Sequence, residues 1–301
     1  MEYLEPTLTV ILPVFNEGAH IEKTLLSVLS QTYSDIQVLV GDNCSTDNSW
    51  EIISKIACAD KRVIPVRQKK NIGAVANVKS LVSITQSPYV AFIGAHDVLD
   101  PEWAKILMSY HGSDFNNFSL VYSRTLWIGS TGKAIRETDG GAFNTMSNSS
   151  IDRFLTCISR SWGECTAVNG IFQGSILRSF SFPACTGPDH ILLARASFFG
   201  KIYCVDQPLY YRREFSRLSS YYERVKGSSG SFEDSSLSCQ MGAYIAETFL
   251  LSSNPIVTLN LLSKLPKALF MGYNFRFIKL RTGPVKALGW SILFLGKLLF
   301  K

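Results

Sequence analysis

Two short apolar runs in the first hundred residues each stop at a small residue and then an acid. Val38-Leu39-Val40 leads into Gly41-Asp42-Asn43, and Val90-Ala91-Phe92-Ile93 leads into Gly94-Ala95-His96-Asp97. Runs this short, rich in β-branched and aromatic residues and closed by glycine, read as strands of a parallel sheet buried on both faces. Ligands bind beyond the carboxyl ends of such strands. Asp42 and Asp97 are therefore expected in one crevice, where two carboxylates can hold a nucleotide and a metal ion that neutralises its phosphates.

The segments around these runs alternate strand and helix. Leu8 to Val14 reads as a first strand, followed by a helix from about Gly18 with Ile21, Leu25, Val28 and Leu29 on one side. Ile36 to Gly41 is the second strand. Thr46-Asp47-Asn48 then offers helix caps, with Glu51 three residues after Asn48 as in a capping box. Val63 to Val66 and Val90 to Ile93 are further strands, separated by a helix after Asn71-Ile72-Gly73. Asp100-Pro101 opens another helix, with proline at its first position. This alternation predicts a doubly wound α/β sheet. Further on, Leu120 to Trp127, Ala167 to Leu177 and Lys201 to Val205 read as strands, with a loop-like Gly129 to Ser150 stretch and a helix from Ser150 to Ser159 between them. Residues 226–236 read as a linker, and only helices are expected beyond it, interrupted at Pro266 and Pro284.

The formal charge of +6 suggests a nucleic-acid partner until it is located. Residues 255 to 301 hold eight Lys or Arg and no acid, which leaves 22 basic against 24 acidic residues in the rest. A basic segment rich in Leu, Phe and Ile suits an anionic membrane surface better than a DNA groove, so no nucleic acid is expected. Within residues 284–301, only ten residues separate Lys286 from Lys297, fewer than the roughly 20 that span a bilayer. This tail is expected to lie on a membrane surface or to pack on protein. Seven scattered cysteines with no C-x-x-C pair indicate neither a disulfide framework nor a zinc site. The acidic start, Met1-Glu2-Tyr3-Leu4-Glu5, lacks the charge of a signal peptide. A cytoplasmic location, at the inner face of the cell membrane, is expected.

Six segments in order carry a resemblance: Thr9-Val-Ile-Leu-Pro-Val-Phe-Asn-Glu17, Ser30-Gln-Thr-Tyr33, Asp42-Asn-Cys-Ser-Thr-Asp47, Asn71-Ile-Gly73, Ala95-His-Asp97 and Pro101. Together they resemble the family 2 glycosyltransferases of GT-A fold, over about Leu8 to Arg213. The resemblance implies an α/β GT-A fold, a Rossmann-like doubly wound mixed sheet, with a C-terminal helical appendage. The implied organisation is a GT-A domain over 1–225, with a nucleotide-binding half to about 110 and an acceptor half after it, then the linker and a helical region over 237–301. The implied activity is inverting transfer of a sugar, from a nucleotide-diphosphate sugar such as a UDP-sugar, to a glycan or lipid-linked acceptor in cell-surface polysaccharide synthesis. A catalytically degenerate domain that binds nucleotide or glycan without turnover is the alternative. A nucleotidyltransferase would carry a glycine-rich, basic phosphate loop after the first strand, which Pro13-Val14-Phe15-Asn16-Glu17 lacks.

The resemblance also assigns residues. Pro13, Phe15, Asn16, Glu17, Asp42, Asn43, Asn71, Gly73, His96, Arg212 and Arg213 are expected to contact the nucleotide sugar; Asn16 equally has the chemistry of a helix cap. Asn43 stands where the family has a second acid, and as an amide it can accept from a base through its carbonyl. Asp97 is the expected ligand of a divalent metal, Mn or Mg, since phosphates and carboxylates are hard donors that suit such ions. Gly94 and His96 replace acids of the family pattern, and His96 can contact ribose or diphosphate or ligate Mn. Asp189 is the expected base that takes the acceptor hydroxyl's proton, with a helix N-cap as its bland reading; Pro188 replaces an acid beside it. Arg212 and Arg213 can clamp a diphosphate through paired hydrogen bonds. Trp162, Glu164 and Gly174 are expected on the acceptor side.

Overall fold

The computed structural model describes residues 7–111, 117–138, 141–160, 165–183, 187–215, 237–251 and 254–279. The proposed linker, the tail over 284–301, Trp162 and Glu164 lie outside the described residues.

One nine-stranded mixed sheet organises the chain, in the order β3-β2-β1-β4-β8-β6-β9-β5, with β7 on β6. Its first part is the parallel set β1 (Leu8–Val14), β2 (Ile36–Asp42), β3 (Val63–Arg67) and β4 (Tyr89–Phe92). Helices α1 (Ile21–Leu29), α2 (Ser49–Ala59) and α3 (Ala74–Ile84) connect them. Then come β5 (Val98–Leu99), α4 (Trp103–His111), β6 (Phe118–Ile128), β7 (Ala134–Glu137), α5 (Ser150–Arg160), β8 (Ile171–Gln173), α6 (Gly174–Arg178), α7 (Pro188–Phe199) and β9 (Lys201–Arg213). Two further helices, α8 (Leu237–Leu251) and α9 (Pro255–Lys279), follow.

Alternation along β1 explains the uninterrupted apolar runs. Leu8, Val10, Leu12 and Val14 face one core with Trp103 and Leu107, while Ile11 and Leu39 face a second core with Leu81 and Phe172. Both faces are covered, so both parities must be apolar. The second core extends to Tyr244 of α8 and to Leu261, Leu265 and Ala268 of α9, which pack with Phe154 and Leu193.

Four local expectations are corrected. Residues 167–177 form a 3₁₀ turn (Thr166–Asn169), the three-residue β8 and the helix α6 rather than one strand. An apolar run with no polar alternation cannot distinguish these states. Residues 129–150 contain β7, paired to β6. Pro266 lies inside α9 instead of ending a helix. A mid-helix proline costs about 3 kcal/mol, which burial of Leu261, Leu265 and Ala268 at roughly 1 kcal/mol or more each can offset. Finally, the capping box at Asn48 does not form. Asp47 does that work, accepting from the Ser49 amide at 3.0 Å.

Candidate active site

Register sets the floor of the crevice. Val14 of β1 lies opposite Asp42 of β2, and Asp42 opposite Arg67 of β3, so three strands end level. The loops that leave them are tied together by side chains. Asn16 adopts φ 54°, donates its amide to Ser45 Oγ at 3.0 Å and accepts from the Thr46 amide through Oδ1 at 2.8 Å. Glu17 and Gly18 donate their amides to Ser49 Oγ (2.8 Å) and to an Asp47 carboxylate oxygen (2.9 Å). Asn16 is thus a loop clasp and not a cap of α1, whose first turn is set by the Glu17 carbonyl. Burial pushes the Asp47 carboxyl up, but hydrogen bonds from Ser49 and Gly18 outweigh it and hold it below the usual range.

Asn43 joins the third loop. Its Nδ2 donates to Asn71 Oδ1 at 2.9 Å, and its Oδ1 accepts from the Ile72 amide at 2.9 Å. The same carbonyl expected to face a base serves the Asn71–Gly73 turn with one of its two lone pairs, and the side chain is buried. The amide that stands where the family has an acid has a physical reason: a carboxylate could not donate to Asn71. Asn71 Oδ1 also accepts from the Gly73 amide at 2.9 Å. Gly73, at φ 86°, opens α3 in a conformation that side chains rarely adopt. Asp42 is fully buried, accepts from the Ser45 amide at 3.2 Å and meets Arg67 Nε at 3.2 Å. The Arg67 guanidinium in turn lies 5.0 Å from the Trp50 ring. Pro13 and Phe15 are half-buried where β1 leaves the sheet.

The loop after β4 completes the crevice. His96 Nδ1 and Glu17 Oε1 are 3.0 Å apart, which ties this loop to the first one, and His96 Nε2 is 3.8 Å from Asp97 Oδ1. Desolvation lowers the His96 pKa, but the hydrogen bond it donates to Glu17 and the charges of Asp97 and Glu17 prevail and raise it. The Phe215 ring stands edge-on to His96 at 4.9 Å. Asp97 is 2% exposed and held from two sides: Tyr210 Oη donates to Oδ2 at 2.7 Å and the Arg213 amide to Oδ1 at 2.8 Å. A side chain at position 94 would run into the Asp97 carboxylate, which accounts for Gly94.

Strand parity separates the two arginines at the end of β9. Arg213 is buried and donates through Nε to the His96 carbonyl (3.0 Å) and through Nη1 to the carbonyls of Gly129 and Ser130 (2.9 Å each). With Tyr211 and Lys23 it lines a cavity of about 350 Å³. Three of its five donors thus serve main-chain carbonyls, which anchors it in the fold. Arg212 is on the other parity, 4.9 Å from the Trp127 ring, and its charge acts on His96, Tyr210 and Cys165.

Asp189 sits in the first turn of α7, after Gly187 at φ 68° and Pro188 at the first helical position. Gly187 is the N-cap, so Asp189 is not. The Cys165 thiol donates to Asp189, and both burial and the Asp189 charge push this thiol well above its usual range. The charge of Arg212 thus acts on Tyr210, which holds Asp97, and on Cys165, which neighbours Asp189. Gly174 belongs elsewhere. It packs on the Ser87 and Pro88 carbonyls, at the amino end of β4, whereas the crevice lies past its carboxyl end. Its expected acceptor role is corrected on that ground.

A family model, glycosyl transferase family 2, matches residues 9–155, which contain the loops just described up to Asp97. This part of the chain belongs to glycosyl transferase family 2. Similar proteins include the glycosyltransferase GlyG of Streptococcus pneumoniae, 30% identical over 93 residues, or 31% of each chain. The UDP-Glc:alpha-D-GlcNAc-diphosphoundecaprenol beta-1,3-glucosyltransferase WfaP of Escherichia coli is 34% identical over 89 residues, 30% of this chain and 35% of its own. The matched segments thus span about a third of these relatives' length. Among solved structures, S. aureus TarS 1-349 in complex with UDP-GlcNAc superposes with a TM-score of 0.64 at 17% identity, covering 90% of this chain and 72% of that one. The chain therefore has the GT-A fold expected of its motifs.

Sequence reasoning missed Arg67, Trp50, Tyr210 and Cys165. Arg67 was findable as the residue ending the third strand, level with Asp42. Tyr210 and Cys165 carry no local signal, since only β9 pairing and the approach of α7 give them partners.

Proposed function

We propose that the chain is an inverting glycosyltransferase that moves a sugar from a nucleotide-diphosphate sugar, UDP-linked, to a glycan or lipid-linked acceptor in cell-surface polysaccharide synthesis. The observation that supports this reading is the set of strand-end loops tied together by Asn16 with Ser45, Asn43 with Asn71 and Glu17 with His96, which carry Asp42, His96 and Asp97; in this reading Asp189 faces them across Arg212, whose charge acts on both His96 and Cys165. WfaP, by its name, uses UDP-Glc and a diphosphoundecaprenol-linked acceptor, and TarS was crystallised with UDP-GlcNAc; both support the donor class.

In this reading the clasped loops of Phe15–Gly18, Asn43–Asp47 and Asn71–Gly73 wall the nucleoside, with Asp42 and Pro13 at the back. Arg212 and His96 face the diphosphate, where fixed positive groups favour the charge that grows as the glycosidic bond breaks. Asp189 accepts the acceptor hydroxyl's proton as that oxygen attacks the anomeric carbon from the face opposite the leaving diphosphate. Asp97 fits a divalent ion, Mn or Mg: each oxygen takes one hydrogen bond and keeps a lone pair, and the bonds from Tyr210 and Arg213 orient it as outer partners orient a ligating carboxylate. One carboxylate plus substrate phosphates is the common way such ions are held. When bound, the ion supplies charge neutralisation at the diphosphate.

The C-terminal helices support a surface-bound enzyme acting on a lipid-linked acceptor. No helix among the described residues is long and apolar enough to cross a membrane. Ile256 and Leu259 are nonetheless 76% and 66% exposed on α9, near exposed Lys264 and Lys267. We place the protein peripherally at the cytoplasmic face of the membrane, through this region and residues 284–301.

Thermal-shift measurements with UDP-, GDP- and dTDP-sugars, with and without Mn, test the binding half, and transfer to lipid-linked acceptors tests the chemistry. Stabilisation by a UDP-sugar, and transfer lowered roughly 100-fold or more in Asp189→Asn, are expected. No stabilisation by any nucleotide diphosphate sinks the scheme. Binding without transfer in any acceptor mix would instead favour a degenerate, binding-only domain.

A further inference from the structure

Behind the candidate base, three ligand-type side chains from two elements converge. Cys165 precedes the 3₁₀ turn, while Asp189 and His190 occupy the first turn of α7. The Cys165 sulfur, an Asp189 carboxylate oxygen and a His190 ring nitrogen all lie within 4.8 Å of one another. Consecutive helical residues point about 100° apart, so the approach of both to one sulfur is a property of how α7 packs on this turn. Among the described residues, no other group of three His, Cys, Asp or Glu ligands is this close.

The donor set differs in kind from that at Asp97. Thiolate, imidazole and carboxylate together suit zinc, with metal bonds of about 2.3, 2.0 and 2.0 Å and ligand edges of roughly 3.3–3.5 Å in a tetrahedron. Side-chain rotation need close the triangle by at most about 1.5 Å. Charge also balances. The field of Arg212 opposes a cation here, yet a thiolate and a carboxylate together cancel the two charges of the ion, and the imidazole binds neutral. The thiol proton leaves to solvent as the sulfur–metal bond forms.

We propose that Cys165, Asp189 and His190 form a binding site for a thiophilic divalent cation, zinc by its chemistry, with three protein ligands and a fourth position open to solvent. Hard ions such as Mg do not compete for it, because they prefer all-oxygen shells. An ion held there occupies the Asp189 carboxylate, so zinc inhibits transfer while Mn or Mg at the other end of the crevice supports it. The inhibition rests on the reading of Asp189 as base; the binding does not.

Cobalt is the probe, because thiolate ligation gives it a near-ultraviolet charge-transfer band. The full chain is titrated with Co²⁺, back-titrated with Zn²⁺ and with Mg²⁺, and compared with Cys165→Ser, Cys165→Ala and His190→Gln. Expected are a thiolate band displaced by zinc and not by magnesium, and release of one proton per ion. Binding should weaken at least roughly tenfold in His190→Gln, and the band should vanish in both Cys165 variants. Circular dichroism and melting temperature confirm that at least one Cys165 variant is folded. A band unchanged in that variant, or no band at millimolar cobalt, overturns the site. Absence of transfer activity would defeat the catalytic reading and leave the cobalt result standing.

Discussion

Tyr210 gives the sharpest handle on how the crevice is built. Its hydroxyl donates to Asp97 Oδ2 at 2.7 Å and accepts the Gly94 amide at 3.2 Å, and both Tyr210 and Asp97 are buried. Tyr210→Phe keeps the ring in its core and deletes one oxygen. A hydrogen bond to a buried charged group contributes about 1.5–3 kcal/mol, and the Gly94 amide loses its acceptor as well, so a destabilisation of about 2–4 kcal/mol is expected. The control is Tyr211→Phe, one residue along on the opposite parity, whose hydroxyl donates to the half-exposed Asp100 at 2.9 Å. Solvent can replace that bond, so about 1 kcal/mol or less is expected there. Equilibrium urea unfolding reads both as midpoint shifts at unchanged slope. In parallel, the Mn-dependent part of nucleotide-sugar binding should weaken in Tyr210→Phe alone, because Asp97 is then held by only the Arg213 amide. Equal destabilisation by the two variants would refute the claim that a buried tyrosine holds the carboxylate proposed to bind the metal.

Three further outcomes follow from the same contacts. Asn43→Asp places a carboxylate against Asn71 Oδ1, removing a donor from a part-buried pair; thermal unfolding should report a loss of about 1–3 kcal/mol, and faster exchange of the Gly73 amide would localise it. Arg195 forms a buried ion pair with Glu247 that joins α7 to α8 and also donates to Ser179 Oγ at 2.8 Å. Arg195→Ala strands Glu247 and should cost about 3–5 kcal/mol, whereas Arg195→Met with Glu247→Leu should be near neutral; a double variant as unstable as the single would contradict this. Asp60 is held below the usual carboxylate range, first by the Arg62 side chain. Its contribution is therefore present above about pH 4 and is lost as pH falls through the lowered value. Asp60→Asn should flatten the acid limb of the stability profile, and identical limbs would exclude the linkage.

Much of the fold was legible because burial on both faces of a parallel sheet leaves a local trace. The runs ending at Asp42 and before Asp97 announce their strands and the edge where the acids gather. The helices between them were legible from apolar spacing, and the GT-A architecture from six motifs in order. Residues 167–177 were not, since a fully buried apolar stretch has no period that separates strand from turn and short helix. Gly174 illustrates a second limit: glycine beside a strand signals close approach, but not at which end of the sheet.

The amino-acid sequence by itself determined which side chains stand at strand ends, because that depends on chain-local alternation and on glycine and proline. Tertiary structure decided what those side chains face. Arg212 and Arg213 are adjacent in sequence, yet parity in β9 sets one against the Trp127 ring and ties the other to the carbonyls of His96, Gly129 and Ser130. Asn43 follows Asp42 at a strand end, and only the fold brings Asn71 and Ile72 against it. The physical reason is common to both: a polar group's role is fixed by the partner that satisfies it, and here those partners lie 28 or more residues away along the chain.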